Sequence, residues 1–391
     1  MTSASTKPTG KRLRIAVLNR IFKSTGGGAE RYSIALVEQL AARHKIHVFA
    51  QHIEHQWPGV TYHPVGQAVE RPRWINQLWF AFGTWQLTRK GFDVVHSHEM
   101  TWHGNVQTVH VQPVRYGLFQ GRSGFALAVR WLKVLTSPRL LAYLWLEKCR
   151  YAVQPGRQVV AASAPLRDTL AQTFPLAQGM MKVLTPGVNA APGRATAAQR
   201  EAARAGLGLP IQGSCILFVG NDYRKKGLPA LLQALQKLPN TTQLAVVGNP
   251  AHIPEFRAQA ASLGVASQVH FLGALPDVTD AYVAATCLAH PTLEDTFAMV
   301  VLEAMAHGVP VVVSGVQYCG IAGLLKNGDN ALILDSPTDA AHLAQTLERL
   351  LADASLNQHI ADGGHRFARE RLWSQVALEQ EEIYFSSIVG P

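Results

Sequence analysis

The segment His290-Pro291-Thr292-Leu293-Glu294-Asp295-Thr296-Phe297-Ala298-Met299-Val300-Val301-Leu302-Glu303-Ala304-Met305-Ala306-His307-Gly308-Val309-Pro310 holds two acids, Asp295 and Glu303, with seven residues between them. Were a helix to start near Asp295, eight steps of about 1.5 Å would set them about 12 Å apart. Two carboxylates that work on either side of one glycosidic bond stand roughly 5 to 9.5 Å apart. The spacing suits instead the opposite ends of a nucleotide sugar, with Asp295 at hexose hydroxyls and Glu303 at ribose hydroxyls. Between the acids, the amides of Phe297, Ala298, Met299 and Val300 are expected as free donors at a helix start, where the macrodipole favours a diphosphate. The same residues also fit a plainer account, in which Glu294 and Asp295 complement the helix dipole and Glu303 lies on a solvated face. Taken alone the two accounts weigh equally. The run Val300-Val301-Leu302-Glu303-Ala304-Met305 favours the first, because an acid among apolar neighbours needs a partner.

A second cluster, Gly220-Asn221-Asp222-Tyr223-Arg224-Lys225-Lys226-Gly227, puts three cations in a loop after an apolar run. Cations opposite a departing pyrophosphate would stabilise the charge that develops as the sugar–phosphate bond breaks; a solvated basic loop is the ordinary alternative. Gly26-Gly27-Gly28 permits close backbone approach to an anion or acceptor, although a triple glycine is more often a turn. Ala29, Glu30 and Arg31 follow it, so no third glycine completes a dinucleotide fingerprint, which disfavours a nicotinamide dehydrogenase. No Asp-x-Asp occurs in the chain. No metal is therefore expected, and lysine and helix dipole would neutralise the diphosphate.

Together these motifs resemble those of the family-four retaining glycosyltransferases. Asp295 and Glu303 occupy the two acidic places of the E-x7-E signature. Gly26-Gly27-Gly28, Lys225-Lys226-Gly227 and His110 match the family's Gly-rich loop, basic loop and strand-end histidine, so the likeness runs from about Leu13 to Gln380. The resemblance implies catalytic roles for Asp295, His110 and Lys226, with His110 contacting the transferred sugar. It implies donor binding by Gly27, Gly28, Lys225, Lys226, Phe297, Ala298, Met299, Val300 and Glu303, with Arg224 a helper. It also implies no cofactor, and same-face substitution through an oxocarbenium-like state, the leaving phosphate taking the acceptor's proton. The chain departs from the family at Asn221, where members can carry Arg, and at Ala298, where many have Gly; the added methyl limits how closely backbone and sugar approach. Within the family, the Asn221 to Gly227 loop, His290-Pro291 and Tyr318-Cys319-Gly320 are most similar to the lipopolysaccharide core glucosyltransferases.

Elements able to position these residues are visible as short apolar runs between helical patterns. Ile15 to Leu18, Ile46 to Ala50, Phe92 to Val95, Val106 to Val111 and Gln158 to Ala162 read as strands in the first half. Cys215 to Val219, Leu244 to Val247, Val269 to Leu272, Cys287 to Ala289 and Val309 to Val313 do so in the second, with helices over Leu228 to Leu238 and Met299 to Ala306. At 391 residues, 48% hydrophobic and 16% charged, the chain suits two globular domains. The expected fold is α/β, two Rossmann-like doubly wound domains facing across a cleft, the GT-B form. The expected divisions are a disordered polar tail over 1–12, an N-terminal acceptor-binding domain over 13–188, a C-terminal nucleotide-sugar-binding domain over 189–370, and a C-terminal helix over 371–391 packing back on the first domain.

Four scattered cysteines, Cys149, Cys215, Cys287 and Cys319, read as buried reduced thiols. Met1 to Lys11 lacks the apolar core of a signal peptide, and Phe125 to Leu146 is broken by Arg130, Lys133, Pro138 and Arg139, too many interruptions for a membrane span. The expected location is cytoplasmic, peripheral on the inner face of the cytoplasmic membrane. A net charge of +10 admits nucleic acid, an anionic membrane or a phosphorylated substrate, and no nucleic-acid-binding module is recognised. Between Arg71 and Trp145, Trp74, Trp79, Phe80, Phe82, Trp85, Trp131, Tyr143 and Trp145 interleave with Arg71, Arg73, Arg89, Lys90, Arg122, Arg130, Lys133 and Arg139. These suit an anionic membrane surface or, with equal weight, a core. The expected function is transfer of a hexose from a nucleotide diphosphate sugar, a UDP-sugar by expectation, to a glycan or glycolipid acceptor. The alternatives are a nucleotide-sugar epimerase of the same fold or a mannosyltransferase using GDP-mannose.

Overall fold

The computed structural model describes residues 11–23 and 27–388. Gly26 and the tail expected over 1–12, apart from its last two residues, lie outside them. The chain divides into two compact units, one gathering the residues up to Ala162, Arg167–Leu184 and the chain from Ala377 onward, the other Ser163–Leu166 and Thr185–Val376.

The first unit is built on a seven-stranded parallel sheet. Its strands are β1 (Arg14–Leu18), β2 (Lys45–Ala50), β3 (Val60–Pro64), β4 (Val94–Ser97), β5 (Val106–Val109), β6 (Gln158–Ala161) and β7 (Met181–Val183), in the order β3-β2-β1-β4-β5-β6-β7. Helix α1 (Gly28–Leu40) follows β1 and buries Ile34, Leu36, Val37 and Leu40, the face that its helical spacing predicts. Helix α2 (Arg73–Thr88) contributes Phe80 to a core shared with Ala16, Leu18 and Phe49. The apolar stretch after residue 124 forms two helices, α3 (Gly124–Leu135) and α4 (Pro138–Arg150), the second started by Pro138, whose fixed φ suits a first turn. No helix among the described residues is long and apolar enough to cross a membrane.

The expected strand over Phe92 to Val95 instead starts at Val94 and takes in His96 and Ser97. Asp93 is held outside the sheet, its carboxylate accepting from the Arg14 amide at 2.7 Å. The shift brings two polar side chains into the interior, His96 with its Nδ1 on the Tyr384 hydroxyl at 2.7 Å and its Nε2 on Thr108 Oγ1 at 2.7 Å. Of the four cysteines, all free, Cys149 is only half-buried, which corrects the expectation for that residue.

The second unit repeats the winding with six parallel strands: β8 (Cys215–Val219), β9 (Gln243–Val247), β10 (Val269–Gly273), β11 (Cys287–His290), β12 (Val311–Ser314) and β13 (Leu332–Leu334). Their order is β10-β9-β8-β11-β12-β13. The order reverses between β8 and β11, the place where open α/β sheets bind ligands beyond their strands' carboxyl ends. Strand β8 is buried at all five positions, as covering on both faces demands. Helix α5 (Leu228–Leu235) packs Leu231 and Leu235 against Phe218 of β8 and Leu244 of β9. Helix α6 (Thr279–Ala284) precedes β11, and α7 (Met299–Ala306) joins β11 to β12.

The last helix, α8 (Trp373–Ile388), gives the first unit a further layer. Tyr384 reaches His96, Glu381 accepts from Arg43 and lies 2.8 Å from His44 Nε2, and Ser387 Oγ accepts from Asn105 at 3.4 Å.

Phe218 has no exposed surface and meets Tyr223 edge to face, ring centroids 5.9 Å apart. Replacing Phe218 by Ala is expected to cost about 3 to 5 kcal/mol, read as a lowered urea midpoint for the second unit.

Candidate functional site

The site in the second unit begins where β8 ends. Gly220 leads into a tight coil in which the Lys226 amide donates to Asp222 O at 2.9 Å and the Lys225 amide to Asp222 Oδ1 at 3.0 Å. Gly227 closes it with φ +85, and a Cβ there would overlap the carbonyl oxygen of Pro291. Only glycine satisfies both the left-handed backbone and that close approach. The loop after β11 is tied to this coil, because Lys225 O accepts from the Leu293 amide at 2.8 Å and from Thr292 Oγ1 at 3.2 Å. Two loops from neighbouring strands thus hold one another.

That tie brings Lys226 to Asp295. The ammonium donates to Asp295 Oδ2 at 2.5 Å and to Glu294 O at 3.3 Å. An ammonium carries three donors, so one remains for a ligand. His290 Nε2 lies 3.2 Å from the same Oδ2, and the Ala298 and Phe297 amides donate to Oδ1 at 2.9 and 3.3 Å. The backbone of Asp295 is pinned as well, its amide on Tyr318 O at 2.7 Å and its carbonyl accepting from Gly320 at 2.9 Å. Burial would raise the Asp295 carboxyl, but the His290 hydrogen bond and the Lys226 charge outweigh it and hold the group well below the usual carboxylate range. His290 is wholly buried, and burial depresses its pKa against the opposing pull of Asp295, so the ring is neutral. With Nε2–H directed to Asp295, its Nδ1 is a bare acceptor, buried with no partner among the described residues.

This geometry corrects two expectations. Helix α7 starts at Met299, with Ala298 as its cap in the left-handed region at φ +73, so eight helical steps do not separate Asp295 from Glu303. The amides of Phe297 and Ala298 are not free donors, since Asp295 accepts from both. Met299 and Val300 are left as the amides that open α7, where no intrahelical acceptor exists.

Glu303 lies in the middle of α7, and its Oε2 accepts from the Tyr282 hydroxyl at 2.8 Å. Tyr282, on α6, stacks on His307 with centroids 5.3 Å apart. Lys225 turns to Glu294 at 2.9 Å in an exposed pair, and Arg224 pairs with Glu255. Sequence reasoning did not assign His290 or Tyr282 to the site. The first was visible as a strand-end histidine before the acids; the second comes from a six-residue helix with no motif of its own.

The remaining candidates lie in the first unit. Gly27 caps α1 and Gly28 is its first residue. His110 follows β5, with its Nε2 3.0 Å from His98 Nδ1 and the Tyr32 ring edge-on at 5.0 Å. Burial and the Arg150 charge push the His110 imidazole down to about 3, so it is neutral at ordinary pH.

Two family models match the chain: "Glycosyltransferase Family 4" over residues 26–191 and "Glycosyl transferases group 1" over residues 199–367. The chain belongs to the group 1 and family 4 glycosyltransferases. Among sequences similar to this GT-B chain are the lipopolysaccharide glucosyltransferase WaaG of Escherichia coli K12, 31% identical over 195 residues, and a D-inositol 3-phosphate glycosyltransferase of Xylanimonas cellulosilytica, 31% identical over 244. These matches cover 48% and 58% of this chain, and 51% and 58% of the relatives. The chain thus spans little more than half the length of the curated relatives it matches. The crystal structure of WaaG superimposes with a TM-score of 0.81 at 22% identity, covering 94% of this chain and 99% of WaaG. Anabaena HepE, solved with UDP and glucose, gives 0.73 at 20% identity, covering 96% and 100%. At such identities the superpositions speak for the fold.

Changing Asp295 to Asn is expected to destabilise the second unit by about 2 kcal/mol or more, because Lys226 keeps its charge without its counterion. A depressed carboxyl pKa contributes stability that is complete above the ordinary value of 3.8 and is lost as pH falls from there through the depressed one. Thermal melts from pH 6 to pH 2 are therefore expected to show a shallower acid decline in the Asn variant than in the parent.

Proposed function

We propose that this GT-B chain is a retaining, metal-independent hexosyltransferase that carries a sugar from a UDP-sugar to a glycan or glycolipid acceptor, on the cytoplasmic side, in lipopolysaccharide core or surface polysaccharide synthesis. The observation that carries the reading is the coupling of Lys226 through Asp295 to the start of α7. One carboxylate fixes a cation and a helix N-terminus together, which is the pairing that a diphosphate needs when no metal neutralises it. WaaG, a lipopolysaccharide glucosyltransferase, supports the acceptor class, and HepE, which shares the fold and was solved with UDP-glucose, supports the donor.

In this reading the third Lys226 donor and the Met299 and Val300 amides receive the diphosphate. Glu303, oriented by Tyr282, receives the ribose hydroxyls. Lys225 adds positive potential from the exposed rim, while Gly27, Gly28 and His110 keep the donor-binding and catalytic roles that the family resemblance gives them. As the bond from the anomeric carbon to the phosphate oxygen breaks, the electron pair leaves with the phosphate, and the nearby ammonium stabilises that charge. The acceptor oxygen bonds to the anomeric carbon on the same face and gives its proton to the leaving phosphate. Asp295 serves mainly through position. Its acceptor sites are already engaged by four protein donors, so a hexose hydroxyl would have to displace one of them.

Nucleoside diphosphate release from a panel that includes UDP-glucose, UDP-galactose and GDP-mannose tests the proposal. The parent enzyme is expected to turn over a UDP-sugar, and Lys226→Ala to lower kcat by about 10² to 10³-fold. NMR of the product is expected to show retention at the anomeric carbon. An inverted product, or a Lys226→Ala enzyme as fast as the parent, would sink the mechanism. Glu303→Gln is expected to raise KM for the donor about tenfold or more with a smaller change in kcat, because it weakens a contact made equally in ground and transition states.

A further inference from the structure

Three histidines of the first unit, His96, His98 and His110, form a row that the proposed transfer uses only at its end. The sheet sets their backbones. His96 lies in β4, and His98, one residue past that strand, still donates its amide to Leu18 O at 3.0 Å. Two residues apart on extended chain, the two rings share one side of the sheet, with centroids 4.2 Å apart. His110 follows the neighbouring strand β5. The His98 ring lies within 13° of parallel to it, with His98 Nδ1 3.0 Å from His110 Nε2. Tyr32 of α1, wholly buried, closes the row, its ring centroid 5.0 Å from that of His110 and 5.9 Å from that of His98.

Both His96 nitrogens are engaged, Nδ1 with the Tyr384 hydroxyl and Nε2 with Thr108 Oγ1, so His96 offers His98 a ring surface and no hydrogen bond. Burial depresses all three imidazoles, His96 and His110 to about 3 and His98 also far below its ordinary value. Arg150, whose guanidinium donates to Gln107 Oε1 at 3.1 Å and to Thr108 O at 2.6 Å, opposes any further positive charge there. A neutral imidazole has one N–H and one bare nitrogen. In the contact between His98 and His110 one nitrogen must therefore donate and the other accept, and that choice gives His110 Nδ1 the opposite character to its Nε2. A phenylalanine at position 98 would fill the row as well; contact between two nitrogens is what packing alone does not call for. We propose that His98 is a positioning residue that holds the His110 ring in one neutral tautomer and one orientation, so that a sugar hydroxyl meets a fixed pattern of donor and acceptor. The inference rests on the proposed transfer for what His110 touches, but not for the tautomer, which is set before any substrate binds.

Nitrogen NMR of the full chain, its histidine rings isotopically labelled, tests it, with the His110 signals assigned by their loss in His110→Phe. In the parent the two His110 ring nitrogens are expected at well-separated shifts, one protonated and one bare. In His98→Phe, which keeps a ring of similar size but offers no hydrogen bond, the shifts are expected to move toward each other as the tautomers exchange. The same variant is expected to lower kcat about tenfold or more with little change in donor KM, through lost alignment at the reacting sugar. His98→Asn, whose amide reaches the place of Nδ1, is expected to recover most of that loss. Averaged His110 shifts in the parent would overturn the proposal whether or not any variant folds. So would a His98→Phe protein that keeps the parent's His110 shifts, or one that loses the single tautomer and still turns over at the parent rate. Separated shifts in a parent that turns over no nucleotide sugar would instead refute the transfer and leave the tautomer lock standing.

Discussion

The second unit is organised around a single carboxylate. Asp295 accepts from an ammonium, an imidazole and two backbone amides, and its own peptide groups are fastened to Tyr318 and Gly320. A buried anion with fewer partners would be costly or would take up a proton; with four it stays charged and orients everything that donates to it. The coil after β8 supplies Lys226, strand β11 supplies His290, and the turn leading into α7 supplies the amides. Each has its position defined by the same two oxygens. The carboxylate therefore does in this fold what a bound cation does elsewhere: it sets several groups to one geometry before any ligand arrives.

The supporting loops show how close backbone approach substitutes for side-chain contact. Gly227 allows the coil after β8 to touch Pro291, and Lys225 O then takes hydrogen bonds from Leu293 and Thr292. Neither loop needs a disulfide or a metal to hold its shape. Ala298 is the exception to this economy. It adopts φ +73, a left-handed conformation that costs a residue with a Cβ roughly 1 to 2 kcal/mol. The two hydrogen bonds that Asp295 makes beside it, one to its own amide and one to that of Phe297, hold the chain there.

The parts of the structure that could be read from sequence were those with a strong local signal. Cys215–Val219 is a run of buried residues and folds as a strand over those same positions, and Met299–Ala306 is helical as its pattern predicts. Lys226 and Asp295 could be assigned to one site because both sit in motifs, although the ion pair between them shows only in the structure. What escaped was long-range or sub-motif. The donors bonded to Asp295 depend on a cap geometry that composition does not reveal, and Tyr282 meets Glu303 from across 21 residues of chain. Strands such as Met181–Val183 and Leu332–Leu334 are three residues long, too short for periodicity to distinguish from a loop. The aromatic and basic residues between Arg71 and Trp145 were legible only as a question, since they interleave equally well in a core and at an interface; in the structure Phe80 is core, while Trp79, Phe82, Trp131 and Trp145 are exposed.

The return of α8 to the first unit carries a consequence for biosynthesis. The sheet of that unit is complete once Val183 has been made, but Arg43, His44, His96 and Asn105 find further partners in Glu381, Tyr384 and Ser387. During synthesis the amino-terminal layer must wait, with the polar nitrogens of His96 and His44 lacking these partners, while about two hundred further residues leave the ribosome. Assembly of the first unit is thus coupled to completion of the second. A chain interrupted anywhere in between would carry an amino-terminal domain with its seam open, a form suited to capture by chaperones or proteases.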